Sequence, residues 1–308
     1  MEAPYTPEYN KNLDKINWVS GLPFVLLHLA CVLVFWAGFS WVALAALVLS
    51  YVIRMFGITA GFHRYFSHRT FKTSRPFQFI LAWLGTASAQ KGPLWWAAHH
   101  RHHHKHSDTE KDVHSPVKRS FWWSHVGWIL SDRFKATNFD MVKDLKKFPE
   151  LKLLNKFHLL PPLQYAIGTF VLGTLLDYYF PSLGTSGFQL LVYGFIISTV
   201  LLYHGTFTVN SLAHVFGKRR FETNDDSRNN WFISLITLGE GWHNNHHRFP
   251  SSERQGFYWW EFDVSHYLLK ALSWMRVVWD LRVPPERVYA KSKVFKRPPD
   301  VIEHPGGR

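Results

Sequence analysis

Four long apolar runs, arranged as two close pairs, constrain this 308-residue chain more than anything else in it. They are Leu22 to Phe39, Trp41 to Ala60, about Leu160 to Phe180, and Phe188 to Phe207. A helix needs about 20 mainly apolar residues to cross the hydrocarbon core of a bilayer. A buried helix of a water-soluble protein would explain one such run, but not four in two tight hairpins. Arg54 and Asp177 lie near run ends, where a charged side chain is expected to reach the interface. No cleavable leader is expected, because the polar first residues include acids and the first apolar run lacks a small-residue cleavage pattern. The one cysteine, Cys31, sits inside a run, so it packs as a small hydrophobe and no internal disulfide is possible.

Charge supplies an orientation. The net charge is +13. The turns Gly38 to Trp41 and Pro181 to Gly187 hold no Lys or Arg, whereas the stretches between and after the hairpins hold Arg64, Arg69, Lys72, Arg75, Lys118, Arg119, Lys146 and Lys147. The positive-inside rule then puts both termini and all the segments outside the hairpins in the cytoplasm, with the basic surface against anionic headgroups. That means the inner membrane of a bacterium or the endoplasmic reticulum. No groove-reading motif is present, so no nucleic acid is expected. The apolar stretch Phe77 to Gln90 is read as a short helix at the interface or in the cap. The expected architecture is a single-domain, all-α integral membrane protein: four transmembrane helices in two hairpins, a helical cytosolic cap over about 61–159 and 208–290, and a polar tail at 291–308. Met1 to Asp14 and about Ala290 to Arg308 are polar and expected to be loosely ordered.

The cap segments carry three histidine clusters of matched spacing: His63 with His68; His100 with His103 and His104; and His243 with His246 and His247. Asn210 and His214 make a fourth feature. Neutral imidazole suits zinc, copper, iron and nickel. Nine imidazoles are too many for one ion, since metal sites take about four ligands, and about right for two. Positions i, i+3 and i+4 share a helix face, which makes compact patches of the second and third clusters. His63 and His68 would lie roughly 140° apart on a regular helix, so they straddle a helix end or serve two metals. Asn210 shares a face with His214 and can bind a metal directly or through a water. His99, His102 and His103 satisfy the second spacing equally well, and spacing alone leaves both sets open. Asp108, Asp112, Asp225, Asp226 and Glu240 are candidates to orient the imidazoles. His28, His158, His204, His266 and His304 read as ordinary side chains.

These residues resemble the membrane-bound fatty acid desaturases, nearest to the delta-9 acyl-CoA (stearoyl-CoA type) branch without a fused cytochrome b5 domain. The likeness runs from about Gly57 to Arg248 and more loosely to Pro285. Its specific blocks are Gly61 to Arg69, His100 to Lys105, Ser107-Asp108, Asp112 to His114, Ser124 to Trp128, Asn210 to His214 and Gly239 to Pro250. The family's second box reads His-Arg-x-His-His-Lys, which selects His100, His103 and His104. The resemblance implies two iron ions held by the nine histidines, dioxygen as oxidant, and removal of two hydrogens from a saturated acyl chain to leave a cis double bond. It also implies a separate electron donor of ferredoxin or cytochrome b5 type, which a basic face would steer. No side chain beyond the metal ligands need be catalytic. By position, the residues that bend the substrate tunnel map onto Gln90, Trp96 and Thr206.

There are departures. An Arg-Asp pair that helps hold coenzyme A in the family is here Ala98 and His99, and a later Arg-Lys pair is Asp132 and Arg133. Arg75, Lys118 or Arg119 could take over phosphate contacts. Acyl-CoA is the expected substrate, with membrane-lipid acyl chains as the near alternative. A hydroxylase or ketolase could use the same boxes, and a non-enzymatic metal-binding membrane protein is the bland alternative.

Overall fold

The apolar runs fold into long helices whose ends are fixed by single polar side chains. The computed structural model describes residues 14–289 and is mainly helical. Among the described residues, three helices are long and apolar enough to cross a membrane: Trp18–Ala37, Trp41–Ser67 and Gly187–Val215. The pair Pro149–Lys156 and Leu160–Tyr179, bent by 76°, adds a fourth if taken as one span. Asn17, Ser40 and Ser186 each accept a backbone N–H in the first turn of the helix they precede. Such first-turn donors have no partner within the helix. Gln189 joins the hairpin turns: its amide accepts from Ser40 Oγ (2.6 Å) and donates to the Ala37 carbonyl (2.9 Å).

The second long helix runs past its expected end at Ala60. Gly57–Ser67 continues it as an 11-residue π-helix in which every residue is buried. Bonding in a π-helix runs i to i+5, and here the His68 N–H donates to the His63 carbonyl at 3.2 Å. Residues five apart are thereby drawn to one side, which a regular α-helix would not allow.

The extension also overturns the expectation for Arg54. Far from reaching the interface, Arg54 is fully buried, because the helix does not end near it. Its guanidinium donates to Ser50 O (3.2 Å), Ala87 O (3.3 Å), Thr199 Oγ1 (2.6 Å) and Ser198 Oγ (2.5 Å), and it lies over the rings of Tyr165 and Phe195.

The apolar stretch read from Phe77 to Gln90 forms the 13-residue helix Arg75–Ala87 and the start of the loop after it. At a rise of about 1.5 Å per residue it spans about 20 Å, short of the ~30 Å core. It packs on the π segment at near-backbone distance: a Cβ on Gly57 would come within 2.7 Å of Gly85 N and the Leu84 carbonyl carbon. Around this contact lies the main core, with Phe62, Phe66, Leu81, Leu94, Leu145 and Leu151 fully buried. Strand signals are weak in the sequence, and among the described residues the strands form one antiparallel pair, Lys72–Thr73 with Val278–Trp279, which returns the chain beside the first histidine pair. The polar ends before residue 14 and from 290 onward lie outside the described residues. Asp14 itself is anchored by Arg119 and Arg133.

Because backbone rather than a flexible side chain blocks the space, Gly57→Ala should destabilise by about 1–3 kcal/mol. Thermal unfolding in detergent should show a lowered Tm for Gly57→Ala. It should show none for Gly168→Ala, where nothing lies within 4 Å of the added carbon. Equal Tm values would mean that the two helices do not touch.

Candidate metal centre

Two short helices aim most of the imidazoles. Pro93–His106 is pinned by Arg101, whose guanidinium points outward to Phe66 O, Ser67 O, Met141 O and the Asp144 carboxylate at 2.7–3.0 Å. That leaves the opposite faces of the helix free to point in. His243–Arg248 has only six residues and is held from outside. Asn244 Oδ1 accepts from the backbone N–H of Arg220 (2.8 Å) and Phe221 (2.7 Å). Asn245 Nδ2 donates to Gln255 O (2.9 Å) and Glu261 Oε2 (2.8 Å).

Nine imidazoles converge in two clusters. In one, ring nitrogens of His63, His68, His100, His104 and His246 all lie within 4.8 Å of one another; in the other, those of His103, His214, His243 and His247 do. The helices split symmetrically. His100 and His104, four apart, face the first cluster while His103 turns to the second. His243 and His247, four apart, face the second while His246 turns to the first. His63 and His68 join the same cluster, one inside the π-helix and one at its end, so of the two sequence readings the helix-end one fits. His99 and His102 lie outside both clusters: His99 Nδ1 bonds to Trp95 O and His102 Nε2 to Lys111 O, each at 2.8 Å.

Four carboxylates hold the outer nitrogens. Asp112 meets His103 Nδ1 (2.9 Å), Asp108 meets His214 Nδ1 (2.8 Å), Asp225 meets His247 Nδ1 (2.6 Å), and Glu240 meets His63 Nδ1. Each bond keeps the ring proton on Nδ1 and turns the Nε2 lone pair inward. Asp226, grouped with these by the sequence, touches no imidazole. It pairs with Arg219 (3.4 Å), and its backbone N–H donates to Asp108 (2.8 Å).

Burial alone would raise these carboxyls, but hydrogen bonding and charge from His214 hold Asp108 at about 2. Charge and a hydrogen bond from His103 hold Asp112, and a hydrogen bond from His247 holds Asp225, below the usual carboxylate range. Burial first, and neighbouring imidazoles second, push His68, His100, His104, His243 and His246 well below the ordinary imidazole value. Burial lowers His247 to about 4. These rings are therefore neutral, the form that binds metal.

Sequence reasoning missed the layer behind Glu240. Arg64, fully buried, donates to Glu240 Oε1 (3.0 Å), Asp263 Oδ1 (2.9 Å) and Glu253 O (3.0 Å), and Gln255 Nε2 donates to Glu240 Oε2 (2.8 Å). The only signal was the adjacency of Arg64 to His63. His28 and His204, read as lone histidines, bond to each other (3.1 Å), and His204 bonds on to His125 (3.0 Å).

The residues fit a metal in each cluster. Within the first, Nε2 atoms face each other at 2.7 Å (His68 and His100), 2.9 Å (His104 and His246) and 3.0 Å (His63 and His246); in the second, His214 and His243 do so at 2.9 Å. The buried Nε2 atoms of His103 and His247 have no hydrogen-bond partner. Inward lone pairs this close repel unless they share a cation, and imidazole nitrogens bind one at about 2.0–2.1 Å.

Beside the clusters lies a cavity. His63, His100, His103, His243 and Glu240 line it together with Met55, Ile58, Trp96, Thr206 and Val209. Of the residues mapped to the tunnel bend, Trp96 stacks on His100 (centroids 5.0 Å apart) and Thr206 is in the wall. Gln90 stands behind it, donating to Thr206 Oγ1 at 3.0 Å. Asn210 also lines the cavity, as does His114, which stacks on His103 at 4.3 Å.

Replacing Asp225 by Asn should weaken metal affinity of the second cluster by about 10–100-fold. The first cluster should be unaffected, and His102→Ala should bind metal as the wild type does. Metal release under graded chelator, read as two separable phases, checks both statements. A single phase that moves as a whole would contradict the division into two clusters.

Comparison with known proteins shows the family. The fatty acid desaturase family model matches residues 39–285. The sn-1 stearoyl-lipid 9-desaturase of Anabaena variabilis is 38% identical over 266 residues, 85% of this chain and 90% of that protein. Delta-9 acyl-lipid desaturase 1 of Arabidopsis thaliana is 35% identical over 281 residues, 90% of this chain and 87% of that protein. The acyl-CoA C20 Delta5-desaturase of Anemone leveillei is 35% identical over 279 residues, 88% of this chain and 83% of that protein. With such a match over most of its length and two histidine clusters able to hold metal, the chain belongs to the fatty acid desaturase family, a family of oxidoreductases.

Proposed function

We propose that this protein introduces a cis double bond at the delta-9 position of a saturated fatty acyl chain, using dioxygen and a di-iron centre. The observation that carries the reading is the opening of two clusters of inward-facing imidazoles onto a largely apolar cavity. Iron would be held by His63, His68, His100, His104 and His246, and by His103, His214, His243 and His247 with Asn210 directly or through a water, and would activate dioxygen, the oxidant, which side chains cannot do. In balance, an acyl chain with two adjacent methylenes, O2, two electrons and two protons gives the alkene and two waters. The residues do the rest. Met55, Ile58 and Val209 offer an apolar wall, Trp96 and Thr206 shape it, and the buried site keeps bulk water away. Four spans with the site on the cytoplasmic face fit the charge asymmetry. A separate ferredoxin- or cytochrome b5-type protein supplies the electrons.

The acyl carrier divides two readings. Acyl-CoA requires a cationic grip on phosphates. The cations proposed for that role already face carboxylates: Arg75 with Glu150 (2.8 Å), Arg119 with Asp14 (3.0 Å) and Lys118 with Glu110 (3.9 Å). Asp132, in place of a family Arg, accepts from Asn17 (3.0 Å) and pairs with Lys135. This pairing favours an acyl chain of a membrane lipid, the substrate named for two of the relatives above.

Expressed in a desaturase-deficient host, the wild type should produce cis-9 monounsaturated chains, and His246→Ala should produce none. Hydroxylated or keto products would move the reading to an oxygen-inserting enzyme. No product, with donor supplied and bound iron verified, would overturn it and revive the metal-binding alternative. Membranes carrying the enzyme should desaturate prelabelled phospholipid or glycolipid chains without prior release; labelled acyl-CoA converted before transfer to lipid would establish acyl-CoA instead.

A further inference from the structure

The cavity wall at Thr206 is held in place by a strained loop behind it. The helix Arg75–Ala87 ends at Ser88, and before the next helix begins at Pro93 the chain passes through two non-glycine residues at positive φ, Ala89 (58°) and Lys91 (63°). Such conformations cost energy and persist where surrounding contacts enforce them. Gln90 sits between the two and donates to Thr206 Oγ1 at 3.0 Å, while the Thr206 hydroxyl donates to Leu202 O at 3.0 Å. One turn earlier on the same helix, the Tyr203 hydroxyl donates to Ala89 O at 3.0 Å. Tyr203 and Thr206 are three apart and share a face, so one helix grips consecutive loop residues twice. From the second span, Arg54 donates to Ala87 O (3.3 Å) and accepts from Ser88 Oγ at its own carbonyl (3.1 Å).

We infer that Tyr203 is a specificity-determining positioning residue, which pins the 88–91 loop and so fixes where the acyl chain turns and which pair of carbons is desaturated. The inference rests on the desaturase reading above. Desaturation at a chosen bond depends on placing one methylene pair among chemically identical neighbours, and a shift of about 1 Å is enough to change rates a hundredfold. The methylenes of a saturated acyl chain make no hydrogen bond that could set register, so the wall's position must set it. Without the Tyr203 hydroxyl, Ala89 can relax and Gln90 loses its fixed approach to Thr206.

The test compares Tyr203→Phe and Ser88→Ala with Tyr193→Phe. Tyr193 is the control because its hydroxyl makes the same kind of bond, to Gly38 O at 3.0 Å, at the far end of the same membrane helix. Double-bond positions are read by mass spectrometry of dimethyl disulfide adducts, with iron content measured on each protein. Tyr203→Phe and Ser88→Ala should raise the share of displaced double bonds about fivefold, the factor for one net hydrogen bond, at wild-type iron content, and Tyr193→Phe should not. Unchanged positions in both loop variants, whatever their turnover, would overturn the inference, and so would an equal shift in Tyr193→Phe. If Tyr203→Phe fails to accumulate, Ser88→Ala decides alone. A wild type that makes no unsaturated chain overturns the desaturase reading and this inference with it.

Discussion

The hydrogen bond from an imidazole Nδ1 to a buried carboxylate is what the rest of this structure depends on. It fixes the tautomer of His63, His103, His214 and His247, at least one ring in each cluster, and so turns their Nε2 lone pairs inward. The surrounding fold supports those carboxylates. Asp108 is held by Ser115 and the Asp226 N–H, Asp225 by Ser227, Asp112 by the Asp108 N–H, and Glu240 by Arg64 and Gln255. Each of these contacts costs conformational entropy and places charge in a buried site, which is tolerable because every carboxylate is satisfied.

The clusters are not equivalent. The second, with four imidazoles, has three carboxylates at one remove and Asn210 beside it in the cavity wall. The first, with five imidazoles, has Glu240 alone, and that charge is shared with Arg64. A cation in the second cluster therefore sits in a more negative surrounding, partly compensating for its shorter set of nitrogens. His100 and His243 from different clusters both line the cavity, so an acyl chain there is within reach of both.

Much of this was legible in the sequence because it is periodic. Apolar runs of membrane length and the i, i+3, i+4 spacing of His100, His103 and His104 depend on helix geometry alone. The choice between that set and His99, His102 and His103 did not follow from spacing, since both satisfy it; the likeness to the family's second box made it, and the outward anchor of Arg101 is its physical reason. The π-helix was hidden because reading a helix from periodicity presumes 3.6 residues per turn, and Arg54 was misplaced for the same reason. The bonds of Glu240 to Arg64 and of Gln255 to His63 join residues 176 and 192 positions apart, a separation no local pattern records. Asp226 was grouped with the orienting carboxylates by proximity in sequence to Asp225, yet it is the backbone of Asp226, not its side chain, that serves the site.

The most direct test of the central claim is Mössbauer spectroscopy, with metal quantitation, on protein produced with iron-57 and purified anaerobically. The account predicts two irons per chain in two distinguishable environments, one for each imidazole cluster. One iron per chain, or zinc in its place in protein that is active, would contradict it.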